Sequence, residues 1–217
     1  MPTTFQKVSS FSRLSRLYIL KPAGLRIRMV KSDEALMLQL QAGDLRSFDT
    51  LVKRWEKPLL NYCYRMVNDI ALAEDLRQDV FLRIYRSAQT YRPMARFSTW
   101  MYRIATNLCL DTLTKQQRRK EIPMGTYLES ASEGFDEKLI DLSDAPDVAL
   151  VKKETENRVR SALAHLPEDQ RVVVTLRHYN GMRFHEIAEI LECPISTAKS
   201  RMAAGMERLS RMLSKQE

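Results

Sequence analysis

The chain predicts an all-α protein built as two small helical domains joined by a flexible acidic linker. Three observations carry that expectation. Apolar residues recur at helical spacing through residues 31–120 and again through 149–217. Six Gly and eight Pro in 217 residues fit poorly with a turn-rich β-sandwich. Between the two periodic stretches, residues 121–148 are acidic, carry Pro123, Gly125, Gly134 and Pro146, and show no sustained period. The length suits one ordinary domain or two small ones. A chain that is 44% hydrophobic and 29% charged is a packed soluble protein, which excludes wholesale disorder.

Taken in order, residues 1–30 hold six basic residues and no acid, lack a clear period, and are expected to form a disordered basic extension. Met29 offers an alternative start codon. The apolar stretch Leu17–Leu20 is too short for a secretory signal, and no run approaches the length that crosses a bilayer. Three cysteines without a close pair point to a reducing compartment, hence the cytoplasm.

Ser32 and Asp33 cap a first helix ending at Gly43. Phe48, Leu51, Val52, Trp55, Leu59, Tyr62 and Met66 form the apolar face of a second, with Pro58 as an expected kink or break. A third helix starts from a cap near Asp69 and buries Ala73, Leu76, Val80 and Ile84. A fourth runs from about Ser98 to Gln117, with Trp100, Met101, Ile104, Leu108 and Leu113 apolar. Past the linker, periodicity returns through Val151, Val159, Ala162, Leu163 and Leu166. Pro167-Glu168-Asp169 opens a helix that contains Val172, Val173 and Leu176 and stops near Asn180-Gly181.

Near the C-terminus, Phe184, Ile187, Ala188 and Leu191 lie at i, i+3, i+4 and i+7. Glu192-Cys193-Pro194 then breaks the chain, and Ser196 is placed to cap a second helix with Ala198, Met202, Met206, Leu209 and Leu213 as its buried stripe. Two short helices with so brief a turn make a helix-turn-helix. At about 100° per residue, Thr197, Ser200, Arg201 and Ala204 lie opposite that stripe, with Lys199 at its edge. Such hydroxyl, basic and methyl groups suit a major groove. The competing reading is a plain helical hairpin with a polar outer face.

A second constellation mixes aromatic and basic residues. Tyr91, Phe97, Trp100 and Tyr102 alternate with Arg92, Arg96 and Arg103, and Arg118-Arg119-Lys120 follow. Aromatics stack on unpaired bases while arginines track phosphates, as single-stranded or melted DNA requires. Phe97 and Trp100 also suit the core of a small bundle, and for Trp100 alone that is the stronger reading. Residues 96–120 carry six basic residues against one acidic, and 121–157 ten acidic against three basic. Basic segments thus flank an acidic one, which points to a polyanionic partner held by separate modules.

His165, His178, His185 and Cys193 do not match metal-ligand spacings, and Cys63 and Cys109 read as core. No phosphate-binding loop, nucleophile elbow or dinucleotide fingerprint is present, so no metal, cofactor, small-molecule substrate or catalytic set is expected.

Four blocks carry a resemblance. Asp75–Leu82 (DLRQDVFL), Phe97–Asn107 (FSTWMYRIATN), Leu166–Arg171 (LPEDQR), and Glu186–Leu191 (EIAEIL) with Cys193-Pro194 and Lys199-Ser200-Arg201 together resemble bacterial sigma factors of the extracytoplasmic-function class, in order and spacing, from about Asp33 to Leu213. The resemblance implies a sigma region 2-like bundle over 31–120, a linker over 121–148, and a region 4-like helix-turn-helix over 149–217. Asp75, Leu76, Gln78, Asp79, Leu82 and Arg83 match the block that holds the β′ clamp helices of core RNA polymerase. The loop from Thr90 to Phe97 matches the part that captures a flipped base. Tyr91, Phe97, Trp100, Tyr102, Arg103, Asn107, Arg118 and Arg119 would then serve −10 recognition and melting. Thr197, Lys199, Ser200, Arg201 and Ala204 would read the −35 element. Implied partners are core RNA polymerase through its β′ and β subunits, promoter DNA and an anti-sigma protein, with no membrane insertion and a role in a stress or envelope-signal response. Where the family often has further basic residues this chain has Ala204 and Met206, and residues 1–30 have no family counterpart. The rival reading is a stand-alone helix-turn-helix regulator with an N-terminal sensing or dimerisation domain, which predicts a dimer on a two-fold operator.

Overall fold

The computed structural model describes residues 31–121 and 157–214. The expected basic extension (1–30) and nearly all of the expected linker (121–148) lie outside the described residues, as do the side chains of Arg119 and Lys120. Among the described residues the regular structure is helical.

Helix α1 (Asp33–Gln41) starts where the Ser32 hydroxyl accepts from the Ala35 N–H at 3.2 Å. Gly43, at φ 95°, supplies the left-handed turn that lets Asp44 cap α2 (Leu45–Val67). The expected kink at Pro58 becomes a continuous helix. Proline deprives the Arg54 carbonyl of its helical donor, but Leu51, Leu59, Leu60, Tyr62 and Met66 on either side are buried, and that burial holds the helix through the defect. Asn68, also left-handed at φ 53°, closes α2, and Asp69 caps α3 (Ile70–Arg86) by accepting from Leu72 N–H at 3.1 Å. All four apolar positions expected on α3 are buried, Leu76 among them.

A single turn at Ala88–Thr90 leads through an irregular loop to α4 (Phe97–Glu121). Two side chains of α1 fix this loop. The Gln41 amide donates to the carbonyls of Ala88 (2.7 Å) and Tyr91 (2.8 Å), and the Glu34 carboxylate accepts from the Phe97 N–H at 2.9 Å. Glu34 therefore caps α4 from another helix, and its carboxyl is held below its ordinary pKa, first by that backbone N–H. Inside the bundle, Trp55, Phe97, Tyr102 and Tyr62 pack edge-on at centroid distances of 5.1–6.1 Å, and the buried Tyr62 and Thr106 hydroxyls pair at 2.7 Å.

The second group begins with a helix whose described part, α5, spans 157–164. Pro167 precedes α6 (Glu168–Val174), which widens into a π-helical turn at Thr175–Tyr179 and ends before Gly181 at φ 65°. Val172, Val173 and Val174 are helical and buried, as the start and stop signals around them require. Helix α7 (Phe184–Ile190) and helix α8 (Ile195–Ser214) follow, joined by a turn in which Glu192 adopts φ 49°.

Two details of α8 differ from the sequence expectation. The helix begins one residue before Ser196, and the Pro194 carbonyl accepts the Ala198 N–H, so Ser196 sits in the first turn instead of capping it. The buried stripe is Ala198, Gly205 and Leu209, while Met206 is 44% exposed. Gly205 is where α8 meets α6: a Cβ there would lie 2.9 Å from Val174 Cγ2 and 3.4 Å from Gln170 Cβ. Only a residue without a side chain permits that approach, and this rotates Met206 outward.

The two groups pack on one another. A continuous apolar core runs from Leu36 and Met37 through Tyr102 and Cys109 to Val172, Leu176, Ile187 and Ala198. A smaller cluster joins Ala162, Leu163, Leu166, Val174 and Leu209 within the second group. Polar ties cross between the groups. The buried Arg171 guanidinium donates to the Met66 carbonyl at 2.7 Å, the Asn180 amide to the Tyr102 hydroxyl at 2.6 Å, and the Gln117 amide to Glu168 at 3.0 Å. Arg65 lies 4.0 Å over the Tyr179 ring, and Arg160 reaches the Tyr64 hydroxyl at 3.3 Å.

Candidate nucleic-acid interface

Three surfaces carry the residues singled out in the sequence. The first is the outer side of α3. Asp75, Gln78, Asp79, Leu82 and Arg83 are exposed there, on the face opposite the buried stripe. Leu76 is not part of it: its side chain is 3% exposed and packs in the core, because it shares the inward stripe with Ala73, Val80 and Ile84. Two large apolar groups belong to this surface, Leu82, expected from the sequence, and Tyr85, which was not. Leu82 is half exposed, and Tyr85 is 48% exposed, with its ring 5.3 Å from Phe48 on α2. Apolar groups left in water beside charges are typical of a docking face.

The second surface is a cleft of about 330 Å³ between the 88–97 loop and the first two turns of α4. Tyr91, Arg92, Met94, Thr99, Trp100 and Arg103 line it, and Glu189 of α7 closes one side. Met94, at the loop tip, is 94% exposed. Tyr91 and Trp100 meet at 4.9 Å between ring centroids and form the cleft's aromatic wall. The aromatics divide into two kinds. Trp100 is partly exposed, whereas Phe97, Tyr91 and Tyr102 are 0%, 4% and 2% exposed. Those three are thus placed to build the cleft from behind, and Trp100 is the one of the four with ring surface open to it. Burial pushes the Tyr91 phenol up to about 12 and also raises that of Tyr102, so both stay neutral. Asn107 and Arg118 are exposed farther along α4.

The third surface is the N-terminal half of α8. Lys199 and Ser200 are exposed, and Thr197, Arg201 and Ala204 are partly so. Arg201 is tied to Asp169 at the start of α6, Nε to Oδ2 at 3.2 Å. Its guanidinium is therefore oriented before any ligand arrives. The Ser200 hydroxyl donates to the Thr197 carbonyl at 2.9 Å.

Among the described residues no group of three His, Cys, Asp or Glu is placed to hold a metal ion, and no helix is long and apolar enough to cross a membrane. Cys63 and Cys109 are buried, and the Cys109 thiol is pushed up by its bond to Cys63 and by burial.

Sequence comparison bears on the same elements. The sigma-70 region 2 family model matches residues 51–119, and the sigma-70 region 4 model matches residues 156–209. The RNA polymerase sigma-H factor of Pseudomonas aeruginosa is 33% identical over 185 residues, 84% of this chain and 94% of that protein. The sigma-E factor of Haemophilus influenzae, an extracytoplasmic-function (ECF) RNA polymerase sigma factor, is 36% identical over 180 residues, 81% of this chain and 92% of its own. The chain belongs to the ECF sigma factors. It therefore acts with core RNA polymerase and promoter DNA in promoter-directed initiation of transcription.

The fold of this sigma factor is shared with two solved relatives at 22% identity. CnrH in complex with the cytosolic domain of CnrY superposes with a TM-score of 0.63 over 86% of this chain and 100% of that one. RpoE of Bartonella quintana, in complex with the anti-sigma factor NepR, gives 0.62 over 78% and 98%. The region 2 match contains α3, the cleft and most of α4, and the region 4 match contains α6 to α8. Three features of the site were not read from the sequence. Glu34, as the cap of α4, is remote in sequence from the helix it caps. Gly205 looks like a helix defect until α6 is placed against it. Glu186 in α7 and Glu192 just after it have partners in Arg96, just before α4, and Arg103, within it, that only the tertiary structure brings close.

Proposed function

We propose that this sigma factor engages polymerase through the exposed side of α3 and promoter DNA through the cleft and α8. The observation that carries the reading is the cleft itself. An aromatic wall, a partly exposed Trp100 and the guanidinium groups of Arg92 and Arg103 ring a volume suited to one unpaired base and its phosphate. Asp75, Gln78, Asp79, Leu82 and Arg83, with Tyr85 and Phe48, form the clamp-helix contact, and Leu76 supports it from the core. Phe97, Tyr91 and Tyr102 shape the cleft. Asn107, Arg118 and Arg119 track the −10 strand beyond it. Thr197, Lys199, Ser200, Arg201 and Ala204 enter the −35 major groove, with Arg201 oriented by Asp169.

The boundaries follow: a region 2 domain over 31–120, an acidic linker over 121–148 and a region 4 domain over 149–217. The linker's charge keeps it off promoter phosphates. The protein is cytoplasmic, catalyses no reaction of its own, and answers an envelope or stress signal relayed by an anti-sigma protein.

The test is reconstitution of the purified protein with core RNA polymerase, followed by transcription from fragmented host DNA. Start sites that appear only with the protein, sharing two elements at −10 and −35, are the expected result. Tight binding to duplex DNA without any complex with core enzyme overturns the assignment of the α3 face.

A further inference from the structure

Helix α1 carries none of the residues of the three surfaces, yet it holds the loop that forms one of them. Its own place is fixed first. Leu36, Met37 and Leu40 are buried in the core. The Asp33 carboxylate pairs with Arg54 and accepts from the Trp55 indole N–H at 3.1 Å, and both partners lie on α2. Trp55 in turn packs against Phe97, the first residue of α4. Two more polar side chains of α1 reach the loop from this fixed base. Glu34 and Gln41 are seven residues apart, close to two full turns, so they lie on one side of the helix about 10 Å apart along its axis. Gln41 bonds the start of the loop through the carbonyls of Ala88 and Tyr91, and Glu34 bonds its last residue through the Phe97 N–H. The Gln89 amide returns a bond to the Gln41 carbonyl at 3.4 Å. Between these ties the chain is irregular, and its tip, Met94, is in water. Such a segment has little packing of its own to define its shape. Neither Glu34 nor Gln41 lines the cleft.

We propose that Glu34 and Gln41 are positioning residues for −10 selectivity: from a helix outside the cleft they hold the 88–97 loop in the shape that receives a base. The inference rests on the reading of the cleft as the −10 site. Attraction of phosphates by Arg92 and Arg103 is independent of sequence and tolerates a loose loop. Base discrimination does not, because a pocket that must be ordered on binding loses affinity with the fraction of molecules already in shape. Each lost bond also leaves a loop carbonyl or N–H without its partner, and this favours other loop shapes in which water satisfies it. Loosening the clamp therefore lowers preference for the correct strand more than it lowers affinity for any strand.

The experiment uses holoenzyme reconstituted from core polymerase and the full chain. The probes are two short dye-labelled single strands. One carries the non-template −10 segment of a start site mapped as above, and the other the same nucleotides in scrambled order. Fluorescence anisotropy gives the ratio of the two affinities. Gln41→Leu keeps a side chain of similar bulk and removes both donors, whereas Gln41→Lys restores donors that can reach the same carbonyls. Glu34→Ala releases the other end of the loop independently. Asp69→Ala removes the cap of α3, whose bond is to Leu72 within that helix, and serves as a control of comparable stability loss. Circular dichroism and a pull-down with core polymerase establish that each variant is folded and loaded.

The expected result is a ratio about fivefold lower than wild type in Gln41→Leu and in Glu34→Ala, within about twofold of wild type in Gln41→Lys, and unchanged in Asp69→Ala. A wild-type ratio in both Gln41→Leu and Glu34→Ala overturns the proposal and leaves the reading of the cleft intact. An equal fall in Asp69→Ala means that lost stability alone acts, and a fall in Gln41→Lys as large as in Gln41→Leu means that the donors do not matter; either overturns it. A wild-type holoenzyme that does not tell the two strands apart removes the reading on which the inference rests, and the inference with it.

Discussion

Replacement of Arg171 by Met is expected to destabilise the protein by about 1 kcal/mol. Arg171 lies in the first turns of α6, 7% exposed, and donates at 2.7 Å to the carbonyl of Met66 in the last turn of α2. The last four carbonyls of a helix have no partner within it, and that end carries the negative pole of the helix dipole. A charged donor there contributes about 1.5–3 kcal/mol through the hydrogen bond and about 0.3–1 kcal/mol through the dipole. Two effects oppose it. Burial lowers the guanidinium pKa, although it stays charged, and its Nε has no hydrogen-bond partner. An orphaned buried donor costs about 1–3 kcal/mol. The difference is about 1 kcal/mol, and methionine restores packing but no bond.

The assay is urea unfolding followed by far-ultraviolet circular dichroism, with a thermal scan beside it. For a chain of this size about 1 kcal/mol corresponds to a fall in Tm of about 2–4 °C. Arg171→Lys, which keeps a charge with a shorter reach, is expected to fall between. A loss below about 0.5 kcal/mol for Arg171→Met would refute the reasoning, since it would mean that the cost of burying the cation cancels everything the bond contributes.

Other expected outcomes follow from the same structure. Glu34→Ala removes the cap on α4 and is expected to cost about 1 kcal/mol at neutral pH. Because the folded-state pKa of Glu34 is depressed, its contribution is complete above the ordinary carboxylate range and is lost as pH falls through the depressed folded value. The gap between wild type and variant in thermal scans should therefore close on acidification. Ellman's reagent on the native protein is expected to titrate about one thiol per chain, Cys193, because Cys63 and Cys109 are buried and Cys109 is held protonated by its neighbour and by burial; prompt reaction of all three would contradict the packing. Ser200→Ala and Arg201→Ala are expected to shift −35 preference, scored by transcription from promoter libraries, and to leave core-polymerase affinity within about twofold; an equal loss of polymerase binding would place these residues elsewhere.

Local signals in the sequence located the helices well, and tertiary ones less well. Ser32 and Asp69 announced α1 and α3 because a capping side chain bonds to a backbone N–H three residues on, and Ala73, Leu76, Val80 and Ile84 announced the inward side of α3 by spacing alone. The same stripe shows why Leu76 fails as a surface contact: a block of motif residues on a helix necessarily mixes both faces. Pro58 misled because a local breaker signal was weighed without the burial that overrides it. Met206 was misassigned to the buried stripe because spacing alone cannot reveal that α6 approaches Gly205 too closely for any Cβ. The α8 recognition face survived that rotation for Lys199 and Ser200, whereas Arg201 turned out to be shared with Asp169.

The contact between the two helical groups has a composition that fits a reversible joint. Its apolar part is real, since Val172, Val173, Leu176 and Ile187 share one core with the first group. Its rim consists of Arg65 on Tyr179, Gln117 with Glu168, Arg96 with Glu186 and Arg103 with Glu192, groups that water or phosphate can satisfy equally well. Opening the joint exposes apolar surface and the cation of Arg171, and this favours the closed form in the free protein. Polymerase and promoter offer replacements for both: an apolar docking surface for one and phosphates for the other. On this argument Arg171→Met, which removes the buried tie from α6 to the Met66 carbonyl, loosens the joint between the two groups as it lowers stability.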